Sequence, residues 1–152
     1  MNSTELLDQF VTEARECLEK IGQRLLDVER SPGEAELLND LFREVHTLKG
    51  NCGLFDFKDL ERVVHAGEDL LDLVRQDRLD YSGDMADALL DAMDYASELV
   101  DAIAQDGRLP EGTGERSRAL ADSLRALLGA GGGKTPVATA DATPSPAAAA
   151  PL

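Results

Sequence analysis

Residues 3–30 read STELLDQFVTEARECLEKIGQRLLDVER, and this stretch decides the fold of the chain. Its apolar residues recur at steps of three or four, the spacing that one face of an α-helix requires. These residues are Leu6, Phe10, Ala14, Cys17, Ile21, Leu25 and Val28. The stretch therefore predicts a long amphipathic helix, and the chain has no period-two run of β-branched or aromatic residues that would predict a strand.

The same spacing continues through further segments that are separated by turn-forming residues such as Ser31-Pro32-Gly33. The pattern predicts helices at residues 3–30, 34–52, 56–76, 84–106 and 115–128. Their connections are short, so neighbouring helices should run antiparallel. We therefore predict an all-α fold, an up-and-down antiparallel four-helix bundle with an appended fifth helix, in a single domain at residues 1–128.

The composition changes abruptly after Leu128. Residues 129–152 consist almost entirely of Gly, Ala, Pro, Ser and Thr, with Val137 and Leu152 as the larger aliphatic residues. Such a segment cannot bury enough apolar surface to fold, which predicts a disordered, flexible linker. A tether has a use only when something is attached to its far end, so we expect this chain to be the N-terminal part of a longer protein.

The composition also excludes several classes of function. The chain has 152 residues and a formal net charge of −15, which argues against binding to nucleic acid. It has neither a secretory signal nor an apolar run of about 18 residues, so we expect a soluble, cytoplasmic protein without membrane insertion. Cys17 and Cys52 lack a CxxC partner and are interpreted as buried or half-buried thiols rather than as a disulfide or a metal site. The like-sign charge predicts that the isolated domain is monomeric.

One histidine is not explained by packing. At about 100° per residue, His46 projects roughly 115° away from the apolar face of the second helix and should therefore face water. Gly50 and Gly53 point almost the same way, one and two turns further on, and leave a surface without obstructing side chains. A glycine inside a helix costs about 1 kcal/mol relative to Ala, so we interpret the two glycines as a docking surface. Lys49 lies on the neighbouring edge.

The third helix carries polar residues on one flank, and Glu68 lies nearest to its core edge. The flank consists of Glu61, His65, Glu68 and Asp72. If the second and third helices pair antiparallel, Glu68 comes close to His46. A carboxylate that accepts a hydrogen bond from one imidazole nitrogen leaves the other nitrogen as an outward nucleophile. Lys49 could then balance the charge of an arriving phosphoryl group.

Two blocks of the sequence resemble a known family. The first block is HTLKGNCGLFDF at residues 46–57, which is similar to the signature H-[ST]-[IL]-K-G-x-x-G-x-[FL]-x-[FL] of histidine phosphotransfer (HPt) domains. The second block is HAGEDLLD at residues 65–72, which is similar to the family's H-x-x-E-x-L-L-D. The resemblance extends over residues 1–128 and is strongest to the P1-type domains at the N-terminus of CheA chemotaxis histidine kinases.

The resemblance implies a phosphocarrier in two-component, chemotaxis-type signalling. It implies that His46 is phosphorylated, that Glu68 orients His46 by a hydrogen bond, and that Lys49 and His65 belong to the same polar network. The implied partners are the ATP-binding domain of a histidine kinase, which donates the phosphoryl group, and response-regulator receiver domains, which accept it on an aspartate.

The chain alone is expected not to be an enzyme. It has no Gly-rich phosphate loop and no other recognisable nucleotide-binding segment, so it should bind no cofactor. ATP and Mg²⁺ would act through the kinase domain. The parent would then be a CheA-like transferase.

Other interpretations stay open or are disfavoured by the spacing. A free-standing HPt protein of a phosphorelay and a catalytically inert docking bundle both remain compatible with the sequence. A di-iron carboxylate bundle would need Glu-x-x-His pairs that face inward on two helices. Glu44 and Glu61 have the wrong offsets to His46 and His65, so we predict no metal site.

Overall fold

The structure, a computed structural model, describes residues 3–31 and 33–130. The helices of this part are α1 (Ser3–Arg30), α2 (Ala35–Leu54), α3 (Lys58–Arg75), α4 (Gly83–Asp106) and α5 (Thr113–Ala130). No strand occurs among the described residues. Helix α5 includes Gly129 and Ala130, two residues that the sequence assigns to the linker. The rest of the predicted linker lies outside the described residues.

The first four helices form a closed bundle. Helix α1 packs against α2 and α4, and α3 completes the ring by packing against the same two helices. Helix α5 is added outside this ring, against α3 and α4. The predicted four-helix bundle with an appended fifth helix is therefore confirmed. One apolar face of every helix contributes to a single core, whose largest fully buried side chains include Phe10, Ile21, Leu41, Leu60, Leu89 and Leu124.

Leu6 is the one residue of the predicted α1 stripe that does not join the core. Its exposed fraction is 42%, whereas the neighbouring Leu7 packs against the core. Gly107, at the end of α4, lies beside Leu7, since a Cβ atom at that glycine would come 3.7 Å from the Leu7 side chain. Near its first turn, α1 therefore presents Leu7 to α4 rather than Leu6.

The turn between α2 and α3 corrects two predicted helix ends. Helix α2 does not stop at residue 52 but continues through Gly53 to Leu54, and α3 begins at Lys58 rather than at residue 56. The chain reverses at Asp56, whose φ of 64° lies in the left-handed region that Asp tolerates better than most residues. The amide of Phe57 donates to the carbonyl of Cys52 at 3.0 Å and closes the turn.

The other helix ends also have local causes. Helix α3 ends at Arg75, one residue early, because Asp77 adopts a φ of 62°. Helix α4 begins at Gly83, where the Ser82 side chain caps the helix by accepting a hydrogen bond from the Met85 amide at 3.2 Å. Helix α5 begins at Thr113, two residues earlier than predicted, directly after Gly112 with a φ of 83°.

Two contacts fix α2 and α3 in the bundle. The Phe10 ring of α1 lies 5.0 Å from the rings of both Phe55 and Phe57, which ties the α2–α3 turn to α1. At Gly67 a Cβ atom would approach Leu89 to 3.4 Å and Met93 to 3.6 Å. The glycine therefore allows α3 and α4 to pack closely, directly beside the polar flank that carries Glu68.

Candidate functional site

His46 lies on the outer flank of α2. Its neighbours Val45 and Leu48 point into the core and are fully buried, while 62% of the His46 side chain is exposed. The regular helix from Ala35 to Leu54 thus holds the imidazole at the surface, as the angular spacing predicts. A histidine in this position can be reached by another protein.

Glu68 projects from α3 towards the same flank of α2. Its side chain is only 8% exposed, and each carboxylate oxygen has a donor from α2. The His46 Nδ1 atom contacts Oε2, and the Lys49 Nζ atom lies 2.6 Å from Oε1. The predicted proximity of Glu68 to His46 is therefore present in the structure, and Glu68 bridges the histidine and the lysine.

The surroundings keep Glu68 ionised. Burial alone would raise the pKa of Glu68, but the hydrogen bonds from Lys49 and His46 outweigh burial and hold the pKa below its ordinary value of 4.5. An ionised carboxylate can only accept hydrogen bonds, so the His46 Nδ1 atom must carry the hydrogen in this contact. In the neutral ring, Nε2 then keeps its lone pair and is the nucleophilic atom.

Lys49 and His65 each have a carboxylate partner in the structure. The Lys49 ammonium group binds Glu68, rather than standing free beside the outer imidazole nitrogen. The His65 Nε2 atom lies 3.4 Å from Asp69 Oδ1, and the second oxygen of Asp69 accepts a hydrogen bond from Arg125 of α5 at 3.0 Å. Asp69 therefore bridges His65 and Arg125, next to the His46–Glu68 contact.

His65, Glu68 and Asp69 also form a group with metal-ligating chemistry. One ligand atom of each residue lies within 4.8 Å of the others. Both carboxylates already bind cationic side chains, since Glu68 binds Lys49 and Asp69 binds Arg125. A metal ion at this position would have to displace two cations, so these residues do not fit a resident metal ion well.

The two glycines of α2 differ in their surroundings. Nothing lies within 4 Å of a Cβ atom built at Gly50, whereas a Cβ atom at Gly53 would come 3.1 Å from Glu61 Oε2 of α3. Leu54, the last residue of α2, is 80% exposed. The open surface beside His46 is therefore formed by Gly50 and extends to Leu54, while Gly53 borders α3.

Two residues at the site were not identified from the sequence. The Phe42 ring lies beside the His46 imidazole and nearly parallel to it, with an angle of 17° between the rings and 6.1 Å between their centroids. The Arg75 Cζ atom lies 4.1 Å from the centroid of Phe42. Phe42 precedes His46 by one helical turn, so the spacing could have revealed it. Arg75 reaches Phe42 from α3, and no sequence signal indicates that contact.

The cysteines lie away from this chemistry. Both are free and buried, in agreement with the sequence interpretation. Burial raises the pKa of Cys17, and it raises the pKa of Cys52 to about 12. Both thiols should therefore be unreactive near neutral pH.

Among the described residues, no helix is both long enough and apolar enough to cross a membrane.

Comparison with known proteins is consistent with this geometry. The Hpt domain family matches residues 5–106. The chemotaxis protein CheA of Halobacterium salinarum is 36% identical over 141 residues, which cover 91% of this chain and 21% of that protein. The CheA of Rhizobium meliloti is 33% identical over 153 residues, which cover 99% of this chain and 19% of that protein. The chain thus spans about a fifth of the length of these relatives.

A solved structure with the same fold carries a phosphoryl group. It is the phosphorylated P1 domain of CheA3 in complex with CheY6 from R. sphaeroides, with a TM-score of 0.75 and 30% sequence identity. The match covers 84% of this chain and 98% of that one.

Proposed function

The chain belongs to the Hpt domain family, and from this membership we propose that it is a phosphocarrier in which His46 receives and passes on a phosphoryl group. The observation that carries the proposal is the contact between His46 Nδ1 and the buried, ionised Glu68. This contact leaves Nε2 as the nucleophile on a ring whose side chain is 62% exposed. The bonding of His46 thus suits attack on a phosphorus atom that another protein presents.

The reaction consists of two transfers. In the first, the Nε2 lone pair attacks the γ-phosphorus of ATP, an N–P bond forms, and the bond to the bridging oxygen breaks so that ADP leaves. In the second, an aspartate oxygen attacks the same phosphorus and the N–P bond breaks. Glu68 keeps the hydrogen on Nδ1 and stabilises the positive charge that the ring acquires. Lys49 binds Glu68 and offsets its charge, and its positive charge would attract the incoming phosphoryl group.

We infer the partners from the sequence, which has no recognisable nucleotide-binding segment, and from the proteins to which the chain is similar. We infer that ATP and Mg²⁺ are bound by the ATP-binding domain of a CheA-like histidine kinase, either further along the same chain or on another protein. We infer that a CheY-type receiver domain accepts the phosphoryl group, because a P1 domain of the same fold was solved with CheY6. Since ATP is the proposed source, we place the carrier in the cytoplasm and assign it to chemotaxis signalling.

The test is a labelling experiment with γ-³²P-ATP and the catalytic core of a CheA relative. We expect the wild-type chain to acquire a phosphoryl group that is labile in acid and stable in alkali, as N-phosphohistidine is. His46→Gln should acquire no label and keep its helical circular dichroism, because His46 lies at the surface. His65→Gln is the matched control and should still be labelled, at a reduced rate. Adding a CheY-type receiver should then remove the label from the wild-type chain.

Two results would contradict the proposal. If His65→Gln loses the label and His46→Gln keeps it, the nucleophile has been assigned to the wrong histidine. If the wild-type chain acquires no label from any CheA core, the bundle is an inert docking module.

A further inference from the structure

One hydrogen bond is not sufficient to orient the His46 ring. Glu68 holds the imidazole at Nδ1 alone. The χ2 torsion of histidine has a broad, roughly two-fold energy profile, so the ring can still tilt about this contact. In-line attack on phosphorus requires that the Nε2 lone pair point in one direction. A second contact that fixes the plane of the ring would therefore favour the reaction.

Phe42 supplies such a contact. It lies one turn before His46 on α2, and the two rings are nearly parallel, with an angle of 17° and a centroid separation of 6.1 Å. Phe42 also packs against the core of the bundle, so its own position is restrained. A tilt of the imidazole towards the phenyl ring is opposed by a side chain that cannot easily move away.

Arg75 holds the Phe42 ring from the neighbouring helix. Its Cζ atom lies 4.1 Å from the centroid of Phe42, within the range of a cation–π contact. The guanidinium group donates to Asp72 at 2.8 Å, and Asp72 also accepts a hydrogen bond from Gln76 at 2.9 Å. The last turn of α3 therefore fixes Arg75 in place over the ring that lies beside His46.

We propose that Phe42 and Arg75 are positioning residues that fix the plane of the His46 imidazole, with Arg75 acting through Phe42. The inference rests on the proposed function and adds residues to the same site. Neither residue touches the reacting atoms. Glu68 sets which nitrogen carries the hydrogen, and Phe42 with Arg75 sets the direction of the other nitrogen.

The first test replaces Arg75, which lies at the surface with a side chain that is 39% exposed, so the variant should fold. In Arg75→Met, the signals of the carbon-bound ring protons of His46 should move in NMR spectra. Labelling by phosphoramidate, a small donor that needs no docking surface, should slow by about two- to fivefold, the scale of one exposed cation–π contact. In that reaction the N–P bond to His46 forms while ammonia leaves the donor.

The matched control is Arg62→Met. Arg62 lies on the same helix, its side chain is 37% exposed against 39% for Arg75, and it forms the same i,i+3 type of ion pair, with Asp59 at 3.3 Å. It lies closer to the start of α3, roughly 20 Å from Arg75, since each residue advances the helix by about 1.5 Å. This variant should leave both the ring-proton signals and the phosphoramidate rate unchanged.

The second test asks whether Arg75 acts through Phe42. Phe42→Leu should move the ring-proton signals and slow the labelling, whereas Phe42→Tyr keeps the aromatic ring and should retain both. In a Phe42→Leu background, Arg75→Met should have no further effect on either measurement. With a kinase core as donor, the variants should lower the maximal rate and leave the KM for the chain unchanged.

Several outcomes would overturn the inference. It fails if Arg75→Met changes neither measurement, if it moves the signals without slowing the labelling, or if its effect multiplies with that of Phe42→Leu. A wild-type chain that reacts with phosphoramidate but with no kinase core would contradict the proposed function. The ring-proton signals and the phosphoramidate rate would still decide whether Phe42 and Arg75 position His46.

Discussion

The buried carboxylate of Glu68 is the residue on which the site depends. A buried charge destabilises a protein unless it is neutralised and its lone pairs are bonded. Glu68 has both kinds of support, from Lys49 on one oxygen and from His46 on the other. Lys49 is the larger of the two supports, because its hydrogen bond lowers the pKa of Glu68 more than the bond from His46 does.

Replacing Lys49 should raise the pKa of Glu68. The hydrogen bond from Lys49 is the largest of the contributions that lower this pKa, and the bond from His46 comes next. We expect a higher pKa for Glu68 in Lys49→Met and a smaller rise in His46→Gln. The ¹³C signal of the Glu68 carboxyl group, followed by NMR against pH, gives the value directly. An unchanged titration in Lys49→Met would show that the ammonium group does not hold the carboxylate.

The same shift makes part of the stability depend on pH. The pKa of Glu68 in the folded chain lies below the ordinary 4.5, so the unfolded chain binds more protons between these two values. The stabilisation is complete above pH 4.5 and is lost as the pH falls through the lowered pKa. Wild type should therefore exceed Glu68→Gln in free energy of unfolding at pH 7, and urea denaturation should show the difference shrinking in acid. A difference that is independent of pH would contradict this.

The contacts that could be predicted from the sequence are those between residues inside regular helices. The approach of Glu68 to His46 could be predicted because both residues lie within regular helices, whose angular positions follow from the spacing. The partner of Lys49 could not, because a side chain with four rotatable bonds reaches several neighbours. Arg75 reaches Phe42 from another helix, and the sequence alone contains no register between α2 and α3.

At the scale of elements, the helices were predictable and their ends were not. Periodic apolar residues predicted each helix, because only one face can enter the core. The end of α2 was predicted at residue 52, yet α2 continues to Leu54 and the left-handed turn occurs at Asp56. Glycine is the usual signal for such a turn, so an aspartate in the left-handed region gives little indication of it in the sequence. Packing of Phe55 and Phe57 on Phe10 determines where the chain reverses.

Gly50 lies inside α2 and weakens it. Nothing lies within 4 Å of an added Cβ atom, so Gly50→Ala should gain about 0.5–1 kcal/mol in free energy of unfolding from helix propensity. If the surface beside His46 receives a partner, the same variant should slow transfer to a CheY-type receiver and leave the phosphoramidate reaction unchanged. Thermal unfolding and transfer kinetics measure the two effects. A more stable variant with undiminished transfer would exclude Gly50 from the docking surface.

At the scale of the whole molecule, charge is the dominant feature. Residues 131–152 contain one lysine and one aspartate, so the entire net charge of −15 belongs to residues 1–130. The chain has 30 acidic residues and 15 Lys and Arg, so half of the acids would lack a basic partner even if every base were paired. Some ion pairs join residues three apart on one helix, such as Arg24–Asp27, and others join two helices, such as Arg15–Asp101.

Repulsion between the acidic residues should keep the isolated chain monomeric and make its stability depend on salt. Two copies at contact face each other with like charge, which opposes association at low ionic strength. Raising NaCl from about 0.02 to about 0.5 M shortens the screening length from roughly 20 Å to a few ångströms. Because this relieves repulsion within the bundle, the melting temperature should rise by a few degrees. Choline chloride is the control, because screening depends on ionic strength rather than on the cation. Sedimentation equilibrium at micromolar concentration should give the monomer mass at low salt. A stable dimer there, or a melting temperature that does not respond to either salt, would show that local ion pairs already balance the acidic surface.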